Sequence, residues 1–107
     1  MTFKVKYSIK AKQDLKGILD YIGDVLFEPE IALKQVARIK KAADSLDIVP
    51  FGRRLYDEEP WKSQGVRFFP VDNYLVFYLP DESKRIVRII SIIHSKANVK
   101  KLLSTDN

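Results

Sequence analysis

The sequence predicts an α+β domain, and three observations carry that prediction. A short alternating strand opens the chain, two amphipathic helical segments follow, and the second half is rich in β-branched and aromatic residues. At 107 residues the chain suits one domain, 1–107, with a modest core.

Phe3, Val5 and Tyr7 alternate with Lys4, Lys6 and Ser8, the pattern of a half-buried strand. Ser8 is placed to cap the helix that follows. That helix is expected over residues 10–25, with Leu15, Ile18, Leu19 and Ile22 as its apolar stripe. Asp14, Lys16 and Asp20 fall on the expected wet side. Gly17 is the candidate for a close helix–helix approach.

Pro29 and Glu30 suit the first turn of a second helix, which is expected to reach about Leu46. Ala32, Val36, Ile39, Ala43 and Leu46 give it one narrow face, so the two helices should form an antiparallel hairpin. Lys34, Arg38, Lys40 and Lys41 stay in water. Residues 47–52 turn away, and Asp57 to Pro60 reads as an acidic loop. Trp61 suits either the core or an interface.

Strands are expected at Gly65–Phe69, Tyr74–Leu79 and Arg85–Ile93, with turns at 70–73 and 80–83. Short connections make them an antiparallel meander. In the last strand Val87, Ile89, Ser91 and Ile93 share one face, and Arg88, Ile90, Ile92 and His94 the other. Both faces are largely apolar, which predicts a central position. A short helix over residues 98–103 closes the chain.

There are no cysteines, which excludes disulfides and thiolate metal sites. The longest apolar run near the end, Ile89–Ile93, is far too short to span a bilayer, and the start lacks a signal-peptide core. A cytoplasmic protein without membrane attachment is expected. The net charge of +5 favours an acidic partner, either nucleic acid or protein.

The order and spacing of these words resemble the RelE/ParE toxin superfamily, and its ParE-like branch in particular. The resemblance rests on Ala11, Asp14-Leu15, Ile18, Tyr21-Ile22, Pro29, Ala32, Ile39, Leu46, Pro50 and Gly52. It continues through Gly65-Val66-Arg67, the run Asn73 to Tyr78, Ile86 to Ile90 and Ile93-His94. It covers essentially the whole chain and implies a plasmid-stabilisation type of toxin that arrests growth and is neutralised by a cognate antitoxin. It implies neither metal nor organic cofactor. Operator DNA would be read indirectly, through the antitoxin.

Two targets follow from the resemblance. The ParE-like branch is associated with inhibition of DNA gyrase, by binding rather than by chemistry of the toxin. The RelE-like branch resembles ribosome-dependent mRNA endonucleases. There Arg67 would clamp phosphate, His94 would transfer a proton, and Glu58 or Glu59 could serve as a base. Arg53, Arg54, Trp61, Arg88, Lys96, Lys100 and Lys101 are the further candidates for target or phosphate binding. No aromatic residue follows His94 in the tail, and Arg53 and Arg54 stand beside acidic Asp57, Glu58 and Glu59. Both departures favour the gyrase reading. An inactive or nucleic-acid-binding relative of the same fold is a third reading.

Overall fold

A computed structural model of the chain describes residues 2–104. It holds strand β1 (Lys4–Tyr7), helix α1 (Ile9–Asp20), helix α2 (Pro29–Asp44) and a two-residue strand β2 (Arg54–Leu55). A single-turn helix α3 (Trp61–Gln64), strands β3 (Arg67–Val71), β4 (Tyr74–Asp81) and β5 (Ile86–His94), and helix α4 (Val99–Ser104) follow. The five strands form one sheet in the order β1-β5-β4-β3-β2. β1 runs parallel to β5, and the other pairs are antiparallel.

The helical hairpin packs on one face of this sheet. Ala11, Leu15, Ile18 and Ile22 meet Ala32, Ile39, Ala43 and Leu46, and both helices cover Phe69, Val76, Tyr78, Val87, Ile89 and Ile92. A smaller core lies on the opposite face, where Leu103 of α4 joins Val66, Phe77 and Ile93, with Trp61 packed against them. The last helix and the α3 segment thus cover the second apolar face of β5.

Several boundaries differ from the sequence expectation, each for a local reason. The first helix widens into a π-turn at Tyr21–Val25, where the Leu26 N–H donates to the Tyr21 carbonyl at 3.0 Å. The close approach falls at Gly23, not Gly17. A Cβ on Gly23 would lie 3.7 Å from that of Ala32, whereas one on Gly17 meets nothing within 4 Å. α2 ends at Asp44 and tightens into a 3-10 turn over Ser45–Asp47. Gln35 is buried on its inner face and donates to Asp72 at 2.9 Å.

β3 is displaced toward residue 71, because Asp72, at φ 55°, makes the turn. Pro70 is accommodated where β2 no longer pairs with β3, so its missing N–H costs no ladder bond. β4 runs on through Pro80 to Asp81. In β5 the register skips Ile90, pairing Ile89 with Tyr78 and Ser91 with Phe77. This bulge inverts the phase of the strand end. Ile92 therefore joins Val87 and Ile89 on the helical face and Ile93 turns to the α4 side, correcting the strict alternation expected across this strand.

Asp14 is also not on the wet side. β1 ends opposite Ile89, which leaves the outer edge of β5 without a strand partner beyond that point. The start of α1 replaces it. The Ser8 hydroxyl donates to the Ile90 carbonyl at 2.8 Å and accepts from the Ala11 N–H at 3.0 Å, acting as N-cap as expected. Asp14 Oδ2 accepts from the Ile92 N–H at 3.0 Å and the Ser91 hydroxyl at 2.7 Å, and pairs with Lys10 at 3.2 Å. Lys10 Nζ also donates to Ser91 Oγ at 2.9 Å. The Lys10 and Asp14 side chains are only 13% and 20% exposed.

Removing Asp14 leaves the Ile92 N–H without its acceptor and the shielded Lys10 ammonium without its counter-charge. Asp14→Ala is therefore expected to lower unfolding free energy by roughly 2–4 kcal/mol, with Asp14→Asn less damaging. Urea denaturation checks this. A loss within about 0.5 kcal/mol, the range of ordinary surface changes, would refute it.

Candidate functional site

The residues singled out by sequence fall in three places. Arg67 begins β3 beside Tyr78 of β4. Its Nη1 donates to the Arg53 carbonyl at 2.6 Å, and its guanidinium lies 5.4 Å from the Phe51 ring centre. Arg53 lies over Phe69 at 4.7 Å, and Arg54 over Phe68 at 5.7 Å. The Tyr78 hydroxyl donates to the Pro50 carbonyl at 2.8 Å. Burial raises the pKa of that phenol, with Arg67 and Arg53 pulling the other way. This cluster ties the 48–54 segment to the sheet.

His94 ends β5 and pairs with Tyr74. Its ring meets the Tyr74 ring edge-on at 5.3 Å, and its Nδ1 accepts from the Lys96 N–H at 3.1 Å. Nδ1 is thus the acceptor, which leaves Nε2 as the protonated nitrogen of the neutral ring. Beside it lies a groove of about 440 Å³ lined by Gln13, Gly17, Tyr21, Tyr74 and His94 among others. Gly17 keeps this groove open, since nothing stands within 4 Å of where its Cβ would be. Burial, then the neighbouring Tyr21, raises the pKa of the Tyr74 phenol.

The third place is the surface around α3 and α4. Trp61 is half-buried against Tyr56, ring centres 5.7 Å apart. Glu58 bridges to Lys100 at 3.0 Å, an exposed pair that raises the lysine pKa. Glu59 accepts from the Ser63 hydroxyl at 2.8 Å and the Ser63 N–H at 3.0 Å, and these bonds hold its carboxyl below the ordinary range. A general base working near neutrality needs a raised carboxyl pKa, so Glu59 is set the opposite way. Lys96 and Lys101 lie on the exposed exit from β5 and on α4. Arg88, also exposed, is register-paired with Lys6 of β1.

The geometry separates the two residues that RNA cleavage would use. Arg67 is opposite Tyr78, and His94 is opposite Tyr74. These levels are four residue steps apart on β4, about 13 Å along the strand, and β4 itself stands between β3 and β5. Among the described residues no group of three or more His, Asp or Glu is placed to hold a metal ion.

Sequence reasoning missed Asp14, Lys10 and the Tyr21–Tyr74 groove. One signal was visible: Ser91 interrupts an apolar central strand, and a buried hydroxyl needs a partner.

This fold is shared with chains of bacterial toxin–antitoxin systems and of an archaeal RelE–RelB complex. A chain of the chromosomal ParDE toxin–antitoxin system of P. aeruginosa superposes with a TM-score of 0.73 at 24% identity, covering 88% of this chain and 97% of that one. A chain of the RelBE2 toxin–antitoxin complex of Mycobacterium tuberculosis gives 0.62 at 19% identity, over 88% and 99%. A chain of the intact E. coli RelBE complex gives 0.60 at 12% identity, over 89% and 99%. No curated protein matches the chain by sequence. The profile of the family described as "ParE toxin of type II toxin-antitoxin system, parDE" matches residues 5–99. The chain belongs to that family.

If Arg67 serves the 48–54 segment, Arg67→Ala should cost about 1–2 kcal/mol and speed amide exchange over residues 50–55. His94→Ala, at an exposed position, should change stability by no more than about 0.5 kcal/mol. Hydrogen exchange and urea melts on both variants check the contrast.

Proposed function

We propose that the protein is the toxin of a type II toxin–antitoxin pair, acting in the cytoplasm to arrest growth by binding DNA gyrase. Family membership supports the toxin role. The observation that carries the binding mechanism is the separation of Arg67 from His94 across the sheet. Each is engaged locally, Arg67 with the Arg53 carbonyl and the Phe51 ring, His94 with Tyr74 and the Lys96 amide. A mechanism that asks for no proton transfer by the toxin fits that arrangement.

The cognate antitoxin is the second partner. β2 pairs only with Arg67 and Phe68, which leaves the outer edge of β3 from Phe69 to Val71 available to an added strand. The groove along α1 suits an apolar side chain from an antitoxin helix. Lys96, Lys100, Lys101, Arg88 and Arg54 are exposed cations, spread over the surface, that favour an acidic partner, with the antitoxin carrying operator recognition. No helix among the described residues is long and apolar enough to cross a membrane.

Supercoiling by purified gyrase is the test. The toxin is expected to inhibit it in a dose-dependent manner, with full reversal by the antitoxin and no cleavage of mRNA on translating ribosomes. Absence of inhibition by folded toxin, together with ribosome-dependent cleavage leaving 2′,3′-cyclic phosphates, would replace this reading with RNA cleavage.

A further inference from the structure

The tip of the helical hairpin differs from the rest of the molecule in charge, exposure and backbone. Residues 17–33 contain Asp20, Asp24, Glu28 and Glu30, and all 19 Lys and Arg of the chain lie outside this stretch. Val25, Leu26, Phe27 and Ile31 are exposed there, Phe27 at 82%. The tip is therefore an acidic knob with an apolar crown, on a chain whose net charge is +5.

Phe27 is the telling residue. Its φ is 57°, in the left-handed region that a bulky side chain rarely adopts. The ring is exposed as well, so its burial does not offset the backbone cost in the free chain. Glycine would satisfy the turn better. The π-turn at Tyr21–Val25 and the Glu28 N–H bonded to the Ile22 carbonyl at 3.0 Å hold the segment in this form. Strain and exposure coincide at one aromatic residue, as at residues kept for a partner rather than for the fold.

Resting on the gyrase reading, we propose that the hairpin tip is the toxin's anchor on the gyrase protein. Phe27 inserts into an apolar pocket on the enzyme, and Lys or Arg side chains around that pocket receive Asp24 and Glu28. The charge of the tip points to a basic protein surface, and the gyrase reading supplies the protein. Nucleic acid would be repelled, because the stretch presents carboxylates and no cation. A protein pocket with a basic rim matches both the apolar crown and its acidic surround. The crown residues Val25, Leu26, Phe27 and Ile31 do not line the α1 groove, which Tyr21 borders, nor do they belong to the β3 edge.

Phe27→Gly separates binding from folding, since it relieves the left-handed backbone and removes the ring. The variant is expected to melt no lower than wild type and to bind antitoxin with unchanged affinity. Its half-inhibitory concentration on gyrase supercoiling should rise by roughly tenfold or more, the loss typical of an aromatic anchor. Asp24→Asn with Glu28→Gln should inhibit several-fold more weakly at low salt, the gap closing as salt rises. Wild-type inhibition matched by F27G would overturn the anchor while leaving the gyrase reading intact. A wild-type toxin without effect on gyrase would overturn both. Loss of antitoxin affinity in F27G, or a change in its self-association by sedimentation, would assign the tip to the antitoxin or to a second copy, and so overturn the proposal.

Discussion

The fold depends on how the open edge of β5 is closed. β1 covers only the first half of that edge, from Ile86 to Ile89. Beyond it, a helix supplies what a strand would have supplied. Ser8 meets the Ile90 carbonyl and Asp14 the Ile92 amide, with Lys10 balancing the carboxylate. A buried strand cannot leave such groups unpaired without losing stability. These contacts fix the direction in which α1 leaves the sheet. The direction of α1 then sets the position of α2, the hairpin tip and the groove beside His94.

The arginines show a related economy. Arg53, Arg54 and Arg67 lie over Phe69, Phe68 and Phe51 respectively, and Arg85 lies over Phe3 at 4.5 Å. Guanidinium groups spread over rings keep their charge at the surface while their stems cover apolar area. They thus contribute both to the positive field of the molecule and to the anchoring of the 48–54 segment. Such dual service explains why cationic residues near a suspected phosphate site need not assemble into one. The acidic residues beside them are similarly committed, Glu58 to Lys100 and Glu59 to the first turn of α3.

Much of the architecture was legible because periodicity reports burial directly. The strand at Phe3–Tyr7, the hairpin helices and the three C-terminal strands all have apolar spacing that admits one packing direction. The details that escaped are those set by tertiary partners. Asp14 sits at a helical position that points to water in an isolated helix, and only the unfinished edge of β5 draws it inward. The bulge at Ile90 has no signature in a run of isoleucines, so the faces of Ile92 and Ile93 could not be assigned by counting. The candidate site was legible residue by residue, but not as a geometry. Arg67 and His94 each stand at a strand end, yet sequence does not tell which ends are neighbours.

The bulge has a consequence for how the chain tolerates change in length. It acts as a frame shift within a single strand. Upstream of it the odd-numbered residues Val87 and Ile89 lie under the helical hairpin, whereas downstream Ile92 does. Deleting Ile90 would restore uniform alternation in sequence without moving the pairing of the strand's first half. The following residues would then keep both their partners on β4 and their cover, since Tyr78 and Val76 lie with Ile89 and Ile92 under the hairpin, and Phe77 and Leu75 lie with Ile93 on the α4 side. The supernumerary isoleucine is thus an insertion that the strand absorbs without losing the pairing or the cover on either side of it.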